Sequence, residues 1–211
     1  MDRRTFCASA LAALFAATGV NAHPDHRDGD LFIDVLVSQE ADRVDVIMRT
    51  PLDLLSGVGL PLTGASYVDA IAFREPDPVV GDGRTYEERA VSAVRSAFRL
   101  EQDGAAIPLI VRSARLAPGD GTADFDARRL TAEGEALDTK PLIDAHHGFL
   151  DIHFTGDVEG GPMVFVPALG AGAGSTVTFR IAADESEQPV TVSGGGEPVQ
   201  LTASDSRPTS P

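Results

Sequence analysis

The residues best equipped for chemistry are the five histidines, and they fall in two places. His23 and His26 flank Pro24-Asp25 near the N-terminus; His146, His147 and His153 surround one apolar-alternating segment. That segment is expected to form a strand over 147–155. With Leu150, Ile152 and Phe154 on its core face, His147, Phe149, Asp151 and His153 fall on the other. Asp151 and His153, two residues apart, would stand ~7 Å from one another along such a strand, close enough to lean toward one ion.

The N-terminal pair gains meaning from what precedes it. Met1-Asp2-Arg3-Arg4 is a short positive region, Phe6–Val20 is apolar, and Val20-Asn21-Ala22 is a small-residue cleavage site. Residues 1–22 thus read as a cleavable secretory signal. Its apolar run is too short and Ala-rich to span a ~30 Å hydrocarbon core. Arg3-Arg4-Thr5-Phe6 resembles a twin-arginine signal, although Asp2 stands where Ser or Thr is usual; export by either the Sec or the twin-arginine route implies the bacterial periplasm. Cleavage before His23 would free an α-amino group beside an imidazole. That bidentate nitrogen chelate suits Cu(II), and nickel is a further candidate. A third nitrogen from His147 or His153 would complete a site similar to a histidine brace. The candidate metal ligands are therefore His23, His26, His147, Asp151 and His153. Solvated terminal histidines and an outward strand histidine are the plainer explanation of the same residues.

Other chemistry finds no support. The chain lacks a G-x-S-x-G elbow, H-E-x-x-H and a phosphate-loop motif, and its one cysteine, Cys7, leaves with the signal. Gly170-Ala171-Gly172-Ala173-Gly174 joins two expected strands, whereas a phosphate cradle needs a strand-to-helix turn. A carbohydrate-stacking face is poorly provided for, with no tryptophan and only Tyr67 and Tyr86. A net charge of −15 and the single lysine, Lys140, oppose nucleic-acid and anionic-lipid binding. The expectation is a non-enzymatic protein without direct membrane insertion after signal cleavage.

The elements that would position these residues are mostly strands. Period-two alternation in Leu31–Ser38 and Arg43–Arg49, across a polar break, reads as a β-hairpin. Residues 51–84 are rich in Pro and Gly and read as a long loop with a helical turn near Asp53–Ser56. Thr85 and Glu88 form a capping box ahead of a helix at about 86–97. A second hairpin pairs Phe98–Leu100 with Ile107–Val111 around Gln102-Asp103-Gly104, and a strand follows over 112–116. Residues 117–145 are turn-rich, with a weak helical patch near 125–130. Strands close the domain at 149–155, 163–167, 176–182, 190–192 and 199–202. The expected fold is mostly β: one antiparallel, immunoglobulin-like β-sandwich over 23–202 with an inserted helix, followed by a disordered tail at 203–211.

Several segments resemble the extracytoplasmic N-terminal β domain of hydrogenase/urease accessory-like (HupE/UreJ-type) bacterial membrane proteins. They are Ala22-His23, Arg43-Val44-Asp45-Val46-Ile47-Met48-Arg49-Thr50-Pro51-Leu52, Leu60-Pro61 and Tyr67-Val68-Asp69. Phe98–Gly104 and Phe149-Leu150-Asp151-Ile152-His153-Phe154 continue the likeness. In that family the β domain precedes a bundle of membrane helices to which nickel transport is ascribed; this sequence lacks the bundle, so transport does not carry over. The resemblance implies a periplasmic accessory or binding module that partners a membrane protein. The alternative expectation is a periplasmic copper- or nickel-binding protein.

Overall fold

The computed structural model describes residues 31–40, 42–118, 142–168, 177–183 and 189–201. The signal, His23 and His26, the helical patch expected near 125–130, the Gly170–Gly174 stretch and the C-terminal tail lie outside them. In chain order the strands are β1 (Phe32–Glu40), β2 (Arg43–Pro51), β3 (Leu62–Thr63), β4 (Tyr67–Asp69), β5 (Phe98–Gln102), β6 (Ala105–Ala106), β7 (Ile110–Ala117), β8 (Leu142–Asp144), β9 (Phe149–Asp157), β10 (Met163–Pro167), β11 (Thr178–Ala182), β12 (Val190–Ser193) and β13 (Val199–Leu201). They form a six-stranded sheet β12-β11-β1-β2-β9-β7, a four-stranded sheet β13-β10-β5-β6 and a three-stranded sheet β3-β4-β8. The protein is mostly β, and no helix among the described residues is long and apolar enough to cross a membrane.

Alternation explains the large sheet. Ile33, Val35 and Val37 of β1 share the buried face with Val44, Val46 and Met48 of β2, paired so that Val35 opposes Met48 and Val37 opposes Val46. Leu150, Ile152 and Phe154 extend that face onto β9. Its core is shared with the four-stranded sheet. Phe98 of β5 meets Phe154 edge-on at 5.8 Å and stacks on Phe165 of β10 at 5.3 Å, and Phe165 meets Phe179 of β11 at 5.4 Å. Offset and edge-on aromatic pairs of this kind add about 0.5–1.5 kcal/mol each beyond the area they bury. One ladder departs from the antiparallel expectation: β1 and β11 run parallel, Ile33 opposite Phe179. Such pairing requires a long connection between the strands, which local patterning does not reveal.

Three further differences have local causes. The second hairpin is short, pairing only Glu101 with Ala106 and Gln102 with Ala105. Asp103 and Gly104 take φ of 51° and 78°, as a two-residue turn requires. Pro108, lacking an amide donor, then ends the ladder, and the chain crosses to pair β7 with β9 in the large sheet. Of the two starts read from the sequence, 147 and 149, the strand takes Phe149, because His147 and Gly148 both donate their backbone N–H to the Asp144 carbonyl and close a turn. Finally, residues 51–84 are organised. A 3-10 helix spans Leu52–Val58, β3 and β4 follow, and a second 3-10 helix spans Ala72–Arg74. Leu52, Leu55, Val68 and Phe73 fasten the segment to the core.

Helix α1 (Tyr86–Ser96) starts at the expected capping box. Thr85 Oγ1 accepts the Glu88 N–H at 3.0 Å, and the Glu88 carboxylate accepts the Thr85 N–H at 2.9 Å. Ala90, Val91 and Val94 form its buried stripe, and the helix packs on both 3-10 helices.

Candidate functional site

Directly opposed strand residues share a face, and that rule places the predicted ligands of β9. Asp151 opposes Arg49 of β2 and Arg115 of β7; Arg49 opposes Asp34 of β1, which opposes Arg180 of β11. The outer face of the large sheet thus carries a row of alternating charge across five strands. Arg49 grips Asp151 through two hydrogen bonds of 2.8 and 2.9 Å, with Asp151 fully buried and the Arg49 side chain 11% exposed. The hydrogen bond from Arg49 to Asp151 raises the guanidinium pKa despite burial. Arg180 holds Asp34 in the same two-pronged way at 2.5 and 2.7 Å.

His153 shares the face of Asp151, as the alternation predicts, but the two have different partners. The His153 Nε2 lies 2.8 Å from Asp45 Oδ1, and Arg43 Nε donates to the other Asp45 oxygen at 3.0 Å. Both the His153 and the Asp45 side chains are 12% exposed. Beside this pair Leu36 and Ile47 form a small buried apolar cluster. In this arrangement Asp151 and His153 work as internal polar contacts of the sheet.

His147 lies elsewhere, in the turn from β8 to β9. Asp144, the last residue of β8, organises that turn. Its Oδ1 accepts the His146 backbone N–H at 2.9 Å, while Oδ2 lies 3.1 Å from His147 Nδ1. His146 turns the other way, with Nδ1 3.0 Å from Asp53 Oδ1 on the first 3-10 helix. Burial pushes the Asp144 carboxyl up, but the hydrogen bonds from His147 and the His146 amide, with the charge of both rings, bring it below the ordinary value. The rings are about half exposed, 43% for His146 and 51% for His147. An imidazole held through Nδ1–H by a carboxylate turns the Nε2 lone pair outward, an orientation that suits proton transfer or metal ligation. Among the described residues, no group of three or more His, Cys, Asp or Glu is arranged to hold a metal ion.

Gly148 makes the turn fit. A Cβ there would lie 2.5 Å from the Ile143 side chain, 2.7 Å from the Asp144 carbonyl and 2.8 Å from Leu52. Its own carbonyl accepts the Leu52 N–H at 3.0 Å, tying the turn to the 3-10 helix that carries Asp53.

The same end of the molecule exposes apolar side chains. In the small sheet Val68 and Ile143 face inward and are buried, whereas Tyr67 and Leu142 are 47% and 42% exposed. Tyr67 directly opposes Asp144, so the aromatic ring neighbours the carboxylate that holds His147. Leu62 on the β3 edge, which opposes Val68, and Ile71, Val79 and Val80 farther along the same segment are exposed too. The elements are joined: β4 packs on the second 3-10 helix, which packs on α1, and Arg74 pairs with Glu87 across the junction.

Sequence reasoning named His146 among the five histidines but gave no ligand role to it, to Asp53 or to Asp144, and none to the exposed apolar residues. One available signal was Asp144-Ala145-His146, since an Asp side chain commonly accepts the amide two residues on. Asp53 had no such signal, because it reaches His146 only through the fold. No family model and no curated protein matches this chain.

Proposed function

We propose that the protein is an exported, non-enzymatic accessory module of the bacterial periplasm that docks on a membrane protein through its small-sheet end. The observation that carries this reading is the exposure of Tyr67 and Leu142 on one face of the small sheet, with Ile71, Val79 and Val80 also exposed along a segment fastened underneath by Leu52, Val68, Phe73 and Ile143. An anchored surface that keeps several large apolar side chains in water suits a partner that covers them. The apolar core common to the two larger sheets supports an immunoglobulin-like β-sandwich as the body that presents this end. The resemblance to the β domain of HupE/UreJ-type proteins points in the same direction, toward a membrane partner.

Co-purification from solubilised membranes tests the reading. The wild-type chain is expected to recover one specific membrane protein, which a Tyr67→Ser/Leu142→Ser variant fails to recover. Repeated recovery of nothing by the wild type counts against it.

A second reading, a copper- or nickel-binding protein, is favoured by one feature: the His147 ring is exposed and oriented by Asp144. On this reading His147 joins His23 and His26, while His153 and Asp151 keep their partners in the sheet. Cu(II) titration of the chain beginning at His23 should then show stoichiometric binding that His23→Ala and His147→Ala remove and His153→Gln leaves intact.

A further inference from the structure

The outer face of the six-stranded sheet is dry at its centre. Beside the charged row, a second row runs Ala182, Leu36, Ile47, His153 and Ser113 across β11, β1, β2, β9 and β7, and a third includes Asp45 and Thr155. Ile47 is 3% exposed and Leu36 8%, and Asp45, Asp151 and Thr155 are buried with them. The Ser113 hydroxyl oxygen is out of water as well. Side chains of a sheet stand roughly upright, so neighbours in the same sheet wall a residue in from the sides and leave its top open. Something must therefore lie over this face.

Among the described residues, Ala182 is the one apolar neighbour packed against Leu36 and Ile47. The buried apolar side chains of α1, both 3-10 helices and the small sheet belong to the core on the opposite face. The burial is present in the single chain, so the cover comes from the chain itself. From this we infer that residues 119–141, between β7 and β8, pack over the outer face of the large sheet and make it an internal interface. Asp151 and His153 are then sealed beneath the chain's own residues, out of reach of a metal ion or a partner.

Sequence and length single out this segment. Beyond the expected signal, residues 23–30, 184–188 and 202–211 contain no large apolar side chain and 169–176 contain only Leu169, whereas 119–141 contain Phe125, Leu130 and Leu137. Its flanks do not need so much chain to be joined. Ala117 opposes Phe149, and Leu142 stands one short strand and one turn ahead of Phe149. A chain that reaches up to ~3.3 Å per residue can cross strands ~4.8 Å apart and return. Charge agrees with this placement. The row on the sheet sets Arg180, Arg49 and Arg115 against Asp34 and Asp151, and the segment carries Asp120, Asp124, Asp126, Glu133, Glu135 and Asp138 against Arg128, Arg129 and Lys140.

Methyl contacts and thiol reactivity in the full chain test the inference. In a nuclear Overhauser spectrum the Ile47 and Leu36 methyls should give cross-peaks to Phe125, Leu130 or Leu137. In a Cys7→Ser background, a thiol from Ser113→Cys should react far more slowly than one from Val190→Cys, at an exposed position. Adding Phe125→Ser, Leu130→Ser and Leu137→Ser should speed the reaction at 113 about tenfold, because an uncovered thiol no longer waits for local opening. The rate at 190 and the strand circular-dichroism spectrum should not change. Cross-peaks from Ile47 to residues 1–22, or to a second copy in a mixed-label sample, overturn the inference. So does a thiol at 113 that stays protected in the folded triple variant. If that variant does not fold, the unsubstituted chain decides alone, and absence of the cross-peaks to 119–141 overturns the inference.

Discussion

On the outer face of the large sheet and in the turn before β9, the same pairing of imidazole with carboxylate occurs under opposite conditions. The His153 and Asp45 side chains are 12% exposed, and the pair lies near the buried Arg49–Asp151 pair. His146 and His147 are about half exposed and sit beside Tyr67 and other apolar side chains that reach into water. Residue type is the same in both places; what differs is the covering. Buried polar pairs are held because breaking them is costly, whereas the exposed pairs leave a ring edge for another molecule. Histidine and aspartate on a strand therefore say little about binding until their burial is known.

The strongest way to break this contrast is Asp151→Ala. Removing the carboxylate leaves Arg49 without its two-pronged partner at a site where the guanidinium is 11% exposed. The expected destabilisation is about 3–5 kcal/mol, the usual cost of leaving one member of a buried pair behind. Urea denaturation measures it. Replacing both residues, as Arg49→Met with Asp151→Leu, should recover part of the loss, since the pair leaves together while Arg115 and Asp34 still face the two positions. A single variant of wild-type stability would mean that the row on the large sheet is not structural.

Gly148→Ala probes the opposite end with a smaller effect. A methyl group there must displace Ile143, Leu52 or the backbone of Asp144. Overpacking of this kind costs about 1–3 kcal/mol. The disturbance should be local: amide exchange should quicken in β8 and at Leu52 and leave the centre of β2 unchanged. Uniform loss of protection would show instead that the small sheet and the large one unfold as one unit.

These two sites also show where the sequence was readable. The β1/β2 hairpin and the α1 capping box were legible because each is written within a few neighbouring residues: Ile33–Val37 against Val44–Met48, and Thr85 with Glu88. The shared face of Asp151 and His153 followed from strand parity. The small sheet was not legible. Its strands are two or three residues long, too short for alternation to register, and β4 finds β8 across a large separation in sequence. The parallel β1/β11 ladder was hidden for the same reason. At the site, parity gave a direction to His153 but could not show that Asp45 faces it from another strand. His147 was placed one element too far along because Gly148 closes a turn that apolar spacing does not mark.

Acid should loosen the exposed turn. The folded-state pKa of Asp144 lies below its ordinary 3.8, chiefly because hydrogen bonds and the charge of His146 and His147 outweigh its burial. For a depressed carboxylate the stabilising contribution is present above the unfolded value and is lost as pH falls through the folded one. The turn should therefore hold at pH 5 and loosen below about pH 4, seen as faster amide exchange at His147 and Gly148. Asp144→Asn should remove that acid dependence. Partly buried Glu87 has the opposite sign: its pKa is raised by desolvation, so its contribution is present in acid and declines as pH rises through the raised value. Glu87→Gln should accordingly leave the acid loosening of the turn in place.

The smallest expected effect on stability belongs to the residues given the largest role in docking. Tyr67 and Leu142 are nearly half exposed, and Val68 and Ile143, which hold the same strands to the core, point the other way. Tyr67→Ser and Leu142→Ser should each change the unfolding free energy by less than about 0.5 kcal/mol, as surface substitutions usually do. Far-UV circular dichroism during melting checks this directly. A large loss in either variant would mean that these side chains already pack against this chain's own residues, and the apolar surface would then belong to the fold. Unchanged melting combined with loss of the membrane partner is the outcome that separates the two ends, because it assigns stability to the buried pairs and recognition to the exposed side chains.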